Sequence, residues 1–505
     1  MLFRNLSANM VAGLAGPLVS IVFTPFYIRK LGIDGFGAVG FFAILAVVVQ
    51  LFAQGINTTL ERRAAAKLRL PSERESTQIF YGTLQMVYWA AALGVSAVVS
   101  VLSGFLTGYW KMENGLTSGD ARLSIVMGGI LISLNLLAGF YSSLFVGLGR
   151  QVFLSSVQTA AIFTQTLVSI SLVALKPVPS SFIIGQAVSA AVAAVALGRE
   201  AEKEVGWLKS GLRPDMKHLK TEARLSMALM SVEALGVVIT YIDRMLVAFF
   251  LPSWAGLGNY TVAQTGARGL GVLRGPLLQT FTPIILSWAA IDDFTAVRRK
   301  FWRIQTILMT LVGVLATVLV LTAKPVINLW LGNKNTAEAA GLPMSLLVAG
   351  SFLLVMSGPP YLVAVSRKYT RGVLVYNAAS VVLMACAGPW CVGSFGLNGA
   401  ASLWLAYCAG SLIATHAGAA RILYSQAIPE FFRDAANFTV KSVGVIAVIC
   451  VLYFTAAAVP ADYSQPAPGW TALEIAVLCL GGFLAAHGLL LNFKSVSTLA
   501  RQVGG

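Results

Sequence analysis

Charge is scarce in this sequence: only 11% of its 505 residues are Asp, Glu, Lys or Arg, while 57% are hydrophobic and the mean hydropathy is +0.78. Soluble domains carry about 25% charged residues, so a soluble fold is excluded and the chain reads as an all-α polytopic membrane protein. Histidine is nearly missing too. With three of them, no zinc or histidine-based catalytic centre is expected, and no cofactor or metal. The five cysteines, Cys386, Cys391, Cys408, Cys450 and Cys479, all lie inside apolar segments, which argues against a disulfide framework or a metal site. No stretch between apolar segments is long enough to build a soluble core. The N-terminus offers Arg4 and then an apolar run to Ile28 without a small-residue cleavage site, so it is expected to be a retained first span.

What the chain has in abundance is apolar length and dispersed positive charge. The net charge of +16 would suggest nucleic acid if it lay on one soluble surface. Here the basic residues punctuate the chain between apolar runs, so no nucleic-acid partner is expected and the bilayer is. About 20 apolar residues cross a hydrocarbon core of about 30 Å, and such segments recur fourteen times. They are 8–29, 38–60, 76–106, 123–147, 152–175, 180–198, 224–250, 258–286, 304–323, 343–365, 373–393, 396–417, 439–457 and 471–491. The connections on the N-terminal side hold 26 Lys and Arg residues against 7 on the other, which predicts both termini in the cytoplasm.

The longest interruption is basic and divides the chain. It predicts a six-helix lobe over 1–198, a linker over 199–223, a second six-helix lobe over 224–421, and two further helices with a tail over 422–505. Since six is even, the two lobes are expected to be parallel repeats around a central cavity, with substrate handled near mid-membrane.

The stretch from Arg224 to Trp288 is the exception to the apolar rule. Its two spans carry Glu233, Asp243, Arg244, Arg268 and Arg274, and a charge at the centre of a spanning helix costs about 3 kcal/mol on insertion scales. Helical periodicity puts Glu233 and Arg244 on one face, with Ser226 and Thr240 beside Glu233, whereas Asp243 lies about 100° from Arg244. Thr261, Gln264, Arg268, Gly271, Gly275 and Gln279 form a second stripe. Pro276 and Pro283 are expected to kink that helix, as Pro17 and Pro25 the first. On the second span Gln50, Gln54, Asn57 and Glu61 share a face.

Several short motifs resemble one family. Leu31-Gly32-Ile33-Asp34-Gly35-Phe36-Gly37, Gly147-Leu148-Gly149-Arg150, Tyr241-Ile242-Asp243-Arg244-Met245-Leu246, Gly258-Asn259-Tyr260-Thr261-Val262-Ala263 and Phe281-Thr282-Pro283 together resemble the polysaccharide transporter family, which includes the O-antigen (Wzx-type) flippases. That family shares a superfamily with multidrug and toxin extruders and lipid II flippases. The resemblance implies alternating access by two six-helix lobes and movement of an undecaprenyl-diphosphate-linked glycan from the cytoplasmic to the periplasmic leaflet. It also implies a polysaccharide polymerase or chain-length regulator as a partner.

Under that resemblance Arg268, Arg274 and Arg244 are candidate donors to a diphosphate or acidic sugar, since guanidinium binds such groups bidentately. For Asp243 and Arg244 the preferred reading is a brace to other helices. For Arg268 and Arg274 it is the cavity, because two carboxylates cannot neutralise three arginines. Glu233 reads as a carboxylate coupling transport to protons or sodium ions, or as a counter-ion, and Asp243 shares those roles. Gln264, Gln50, Gln54 and Asn57 are candidates to hydrogen-bond sugar hydroxyls, with interhelical polar packing as the alternative. Asn135, Gln158 and Gln165 are expected to pack within the first lobe. An extruder of organic cations would want a cavity dominated by carboxylates, and a membrane glycan polymerase or ligase a sizeable external loop. The longest candidate for such a loop is Lys324 to Leu342.

Overall fold

The structure is a computed structural model and describes residues 2–66, 70–109, 118–207, 235–251, 253–287, 294–366, 371–424, 427–458 and 481–482. Every described element is helical. Nine stretches among the described residues are long and apolar enough to cross a membrane, so the chain is a multi-pass membrane protein. By contacts it forms two compact units, Met1–Thr261 and Val262–Gly505.

The first unit contains α1 (Leu2–Ala66), α2 (Pro71–Tyr109), α3 (Ser118–Gly147), α4 (Gln151–Leu175), α5 (Pro179–Val205), α6 (235–250) and the start of α7 (Trp254–Ser287). The first two expected spans run together as α1, broken only at Gly32, whose φ of 72° is left-handed and suits a residue without Cβ. Neither Pro17 nor Pro25 departs from helical dihedrals. The break therefore belongs to glycine rather than to the prolines. Between α3 and α4 the chain reverses through Gly149, with φ of 70°. Arg150 N–H donates to Phe145 O at 3.0 Å and Gly149 N–H to Val146 O at 3.1 Å, which satisfies the last carbonyls of α3 in a Schellman arrangement.

Aromatic rings fill the centre of this unit. Phe140 packs against Tyr81 and Tyr88 at centroid distances of 5.3 and 4.7 Å. Trp89 and Gln85 donate to the Tyr141 hydroxyl at 3.2 and 3.3 Å. Lipid tails are as apolar as these side chains, so association rests on close packing and small residues: a Cβ on Gly185 would sit 2.1 Å from Ser169 Oγ, and one on Gly37 2.1 Å from the Trp254 carbonyl oxygen. The second contact holds the start of α7 against α1. Residues 235–261 group by contacts with the first unit. Ion pairs tie both ends of the unit: Lys176 to Asp120 at 2.5 Å at one, and Arg150 to Glu200 at 3.0 Å, and to Glu204, at the other.

The second unit holds the rest of α7, then α8 (Phe294–Leu308), a π-helical turn (Met309–Gly313), α9 (Val314–Leu321), α10 (Ala323–Leu331), α11 (Lys334–Met356), α12 (Gly358–Ser366), α13 (Arg371–Leu423) and α14 (Ile428–Ala458). The eleventh and twelfth expected spans merge as α13, broken at Gly396 with φ of 58°. The stretch considered as a catalytic loop is helical apart from Gly332 and Asn333, with Lys324 paired to Glu338 across it. Of the remaining expected spans, the seventh is described only from residue 235 and the last, 471–491, lies outside the described residues except 481–482.

Candidate functional site

Four helices of the first unit line a half-open cavity of about 560 Å³. Each contributes a carboxamide: Asn57 from the second half of α1, Asn135 from α3, Gln158 and Gln165 from α4, and Gln186 from α5. The helical repeat explains the convergence, since Gln158 and Gln165 are one heptad apart on one face of α4. Space for the cavity comes from small residues among the lining, including Gly139, Ala161 and Ala193.

The hydrogen bonding of these side chains separates them into two sets. Asn57 is buried, and its Oδ1 accepts from the Tyr88 hydroxyl at 2.7 Å. Ser142 and Ser189 are spent on helix carbonyls, those of Ala138 at 2.7 Å and Ala161 at 2.6 Å. Asn135, Gln158, Gln165 and Gln186, in contrast, make no hydrogen bond to any described residue, and Gln186 Oε1 is itself buried. A carboxamide offers two donors and an acceptor; Gln158 is exposed and Asn135, Gln165 and Gln186 are half-buried, so these groups are open to a ligand or to water. Four on one cavity form a neutral surface with spare donors and acceptors. No charged residue is among the described residues that line it.

The charged candidates lie elsewhere. Asp243 is buried on α6, where Oδ2 accepts from the Tyr260 hydroxyl of α7 at 2.7 Å and Oδ1 from the Arg244 backbone N–H at 2.8 Å. The Arg244 guanidinium rests 5.4 Å from the Tyr241 ring centre. Arg268 is exposed on α7 and pairs with no described residue, whereas Gln264, one turn earlier on the same helix, is buried. The side chains of Gln50, Gln54 and Arg274 lie outside the described residues, as does all of Glu233.

Two features escaped the sequence reading. Gln186 stands alone in a run of Ala, Ser and Val, and only its spacing of three and seven residues from Ser189 and Ala193 marks its face. His416 of α13 is half-buried in the second unit, with Nδ1 2.9 Å from Leu412 O and Nε2 3.1 Å from Gln305 Nε2, which also donates to Met356 O at 3.2 Å. That pattern uses both ring nitrogens in one neutral tautomer, a packing role rather than a free base.

Residues 2–288 match the sequence model of a family described as polysaccharide biosynthesis protein. The chain belongs to that family. The matched residues contain all five cavity amides, Asp243, Arg244 and Arg268. A curated relative, the uncharacterized membrane protein EpsK of Bacillus subtilis (strain 168), is 24% identical over 425 residues, 79% of this chain and 80% of the relative. Among solved structures, the fold of this family member is similar to that of the lipid II flippase MurJ in an inward closed conformation. The TM-score is 0.68 at 12% identity, covering 96% of this chain and 98% of that one. An inward-facing multidrug resistance MATE family transporter of the MOP superfamily is similar with a TM-score of 0.57 at 11% identity, over 84% and 99% of the two chains. The all-α polytopic architecture expected from composition is thus the fold these transporters share.

Proposed function

We propose that this protein is a flippase that carries an undecaprenyl-diphosphate-linked oligosaccharide from the cytoplasmic to the periplasmic leaflet of the bacterial inner membrane. It does so by alternating access, in the synthesis of O-antigen, capsule or exopolysaccharide. The observation that carries this reading is that four cavity amides, Asn135, Gln158, Gln165 and Gln186, bond no described residue. Sugar hydroxyls both donate and accept, and uncharged carboxamides match them without the desolvation cost of an ion. The diphosphate calls for cations, which Arg268 offers from an exposed position on α7 and which Arg274 and Arg244 supplement, while the polyprenyl tail stays in lipid.

On this reading the lobes over 1–198 and 224–421 rock about the linker, both termini are cytoplasmic, and a polymerase or chain-length regulator receives the product. Coupling to protons or sodium ions would fall to Glu233. Asp243, already engaged by Tyr260, suits a counter-ion role. A multidrug extruder of the same fold is the second reading, but it would want carboxylates where this cavity has amides.

The test is complementation of a flippase-null strain. Gln158→Leu with Gln165→Leu, and separately Arg268→Gln with Arg274→Gln, should each cut glycan export by about tenfold or more while membrane protein levels stay normal. Normal export by both double variants would reject the glycolipid substrate, and export of organic cations by the wild type would favour the extruder.

A further inference from the structure

A second pocket, of about 420 Å³, opens between α8 and the first half of α14 in the second unit. Both helices begin a membrane-crossing stretch here, and α13 ends beside them, so the pocket sits at one boundary of the apolar layer. Its floor is aromatic, with Trp302 and Phe438 at a centroid distance of 5.4 Å, as is common where side chains meet lipid headgroups.

Four cations and two carboxylates line it, and their bonding leaves positive charge over. Arg298 is held in place: its Nε donates to Leu423 O at 2.7 Å, it pairs with Glu430 at 2.7 Å, and its guanidinium lies 4.1 Å from the Tyr424 ring centre. Asp434 accepts from the Tyr424 hydroxyl at 2.8 Å, and that hydroxyl accepts in turn from Trp302 Nε1 at 2.8 Å. Burial pushes the Tyr424 phenol up, so it remains a donor at neutral pH. Both carboxylates are therefore spent on this frame. Arg299 and Lys441 line the same pocket, are exposed, and form no ion pair or hydrogen bond with any described residue. Among the described residues Arg433 reaches only Asp434, its sequence neighbour, at 4.0 Å.

A dispersed topology signal requires positive charge but no pocket. Here the charge is gathered, the anions are tied down by a hydrogen-bonded frame, and the floor is aromatic. We propose that this pocket binds the anionic headgroup of a bilayer phospholipid, with Arg299, Arg433 and Lys441 on the phosphate, Trp302 and Phe438 beneath the glycerol, and the acyl chains along the apolar face of α14. Val440, Val443 and Val451 are exposed on that face, which gives the chains a surface to follow. Basic pockets at the cytoplasmic ends of spanning helices bind anionic headgroups in this way, and the site is separate from the amide cavity of the first unit.

The experiment is native mass spectrometry of the full chain extracted from nanodiscs of phosphatidylglycerol and phosphatidylethanolamine. Wild type is compared with Arg299→Gln/Lys441→Gln and with a control of equal charge loss outside the pocket, Lys300→Gln/Arg371→Gln. All four side chains are exposed, so each variant should fold, with size-exclusion profiles and melting temperatures as the check. The expected result is retention of phosphatidylglycerol by wild type and control, and a loss of roughly tenfold or more in the pocket variant that shrinks at high salt. Phosphatidylethanolamine should not discriminate among the three. Equal retention by pocket and control variants overturns the proposal, and so does a pocket that takes inorganic pyrophosphate but shows no preference between the two lipids.

Discussion

A carboxylate at membrane depth needs donors, and Asp243 finds them in the Tyr260 hydroxyl and the Arg244 backbone N–H. The Tyr260→Phe variant removes one donor and nothing else of consequence, so it should lower stability by about 1–2 kcal/mol, read as a fall in melting temperature in detergent. An unchanged melting temperature would show that the hydroxyl is dispensable to the carboxylate. Sequence alone picked out Asp243, because a charge in an apolar run stands out against its neighbours. It could not supply Tyr260, since the bond joins two helices across 17 residues. The amides show the opposite limit: Asn135, Gln158 and Gln165 were legible as polar residues inside the first lobe. That they meet Gln186 around a cavity, instead of bonding one another, depends on helix packing that no periodicity encodes.

At the scale of the element, glycines set where helices end and how near they come. Gly32 breaks α1 by its positive φ, and Gly37, five residues on, lets the Trp254 carbonyl approach. The Leu31–Gly37 motif therefore has a physical account: one glycine turns the chain and the other admits the start of α7. Replacing Gly37 by Ala forces a methyl to within 2.1 Å of a backbone oxygen that cannot swing away. It should cost more than about 2 kcal/mol and appear as reduced monodisperse yield and melting temperature. Gly94→Ala is the control, because nothing lies within 4 Å of the added carbon, and it should be neutral or stabilising by up to about 1 kcal/mol. Similar losses in both would mean that the cost is not specific to the close approach at Gly37, since helix propensity alone favours alanine at either site. Proline was the more conspicuous sequence signal in α1, yet the helix persists through Pro17 and Pro25 because the packed bundle holds it.

For the whole molecule, low charge, long apolar runs and the clustering of Lys and Arg were enough to read a polytopic helical membrane protein. The chain's membership of the polysaccharide biosynthesis family agrees with its motifs. Merged spans such as α1 and α13 were read as pairs because hydropathy registers length, not the one-residue break that separates two helices. The central claim is that uncharged amides in the first unit bind the glycan. It is tested most directly by the rate at which a fluorescent undecaprenyl-diphosphate oligosaccharide crosses proteoliposome membranes containing wild type or Gln158→Leu/Gln165→Leu/Gln186→Leu. None of these amides bonds a described residue, so the triple variant should melt at or above the wild-type temperature. Its translocation should nevertheless be slower by at least about tenfold, the loss of one or two hydrogen bonds to the sugar. Wild-type translocation by a correctly folded triple variant would contradict the account.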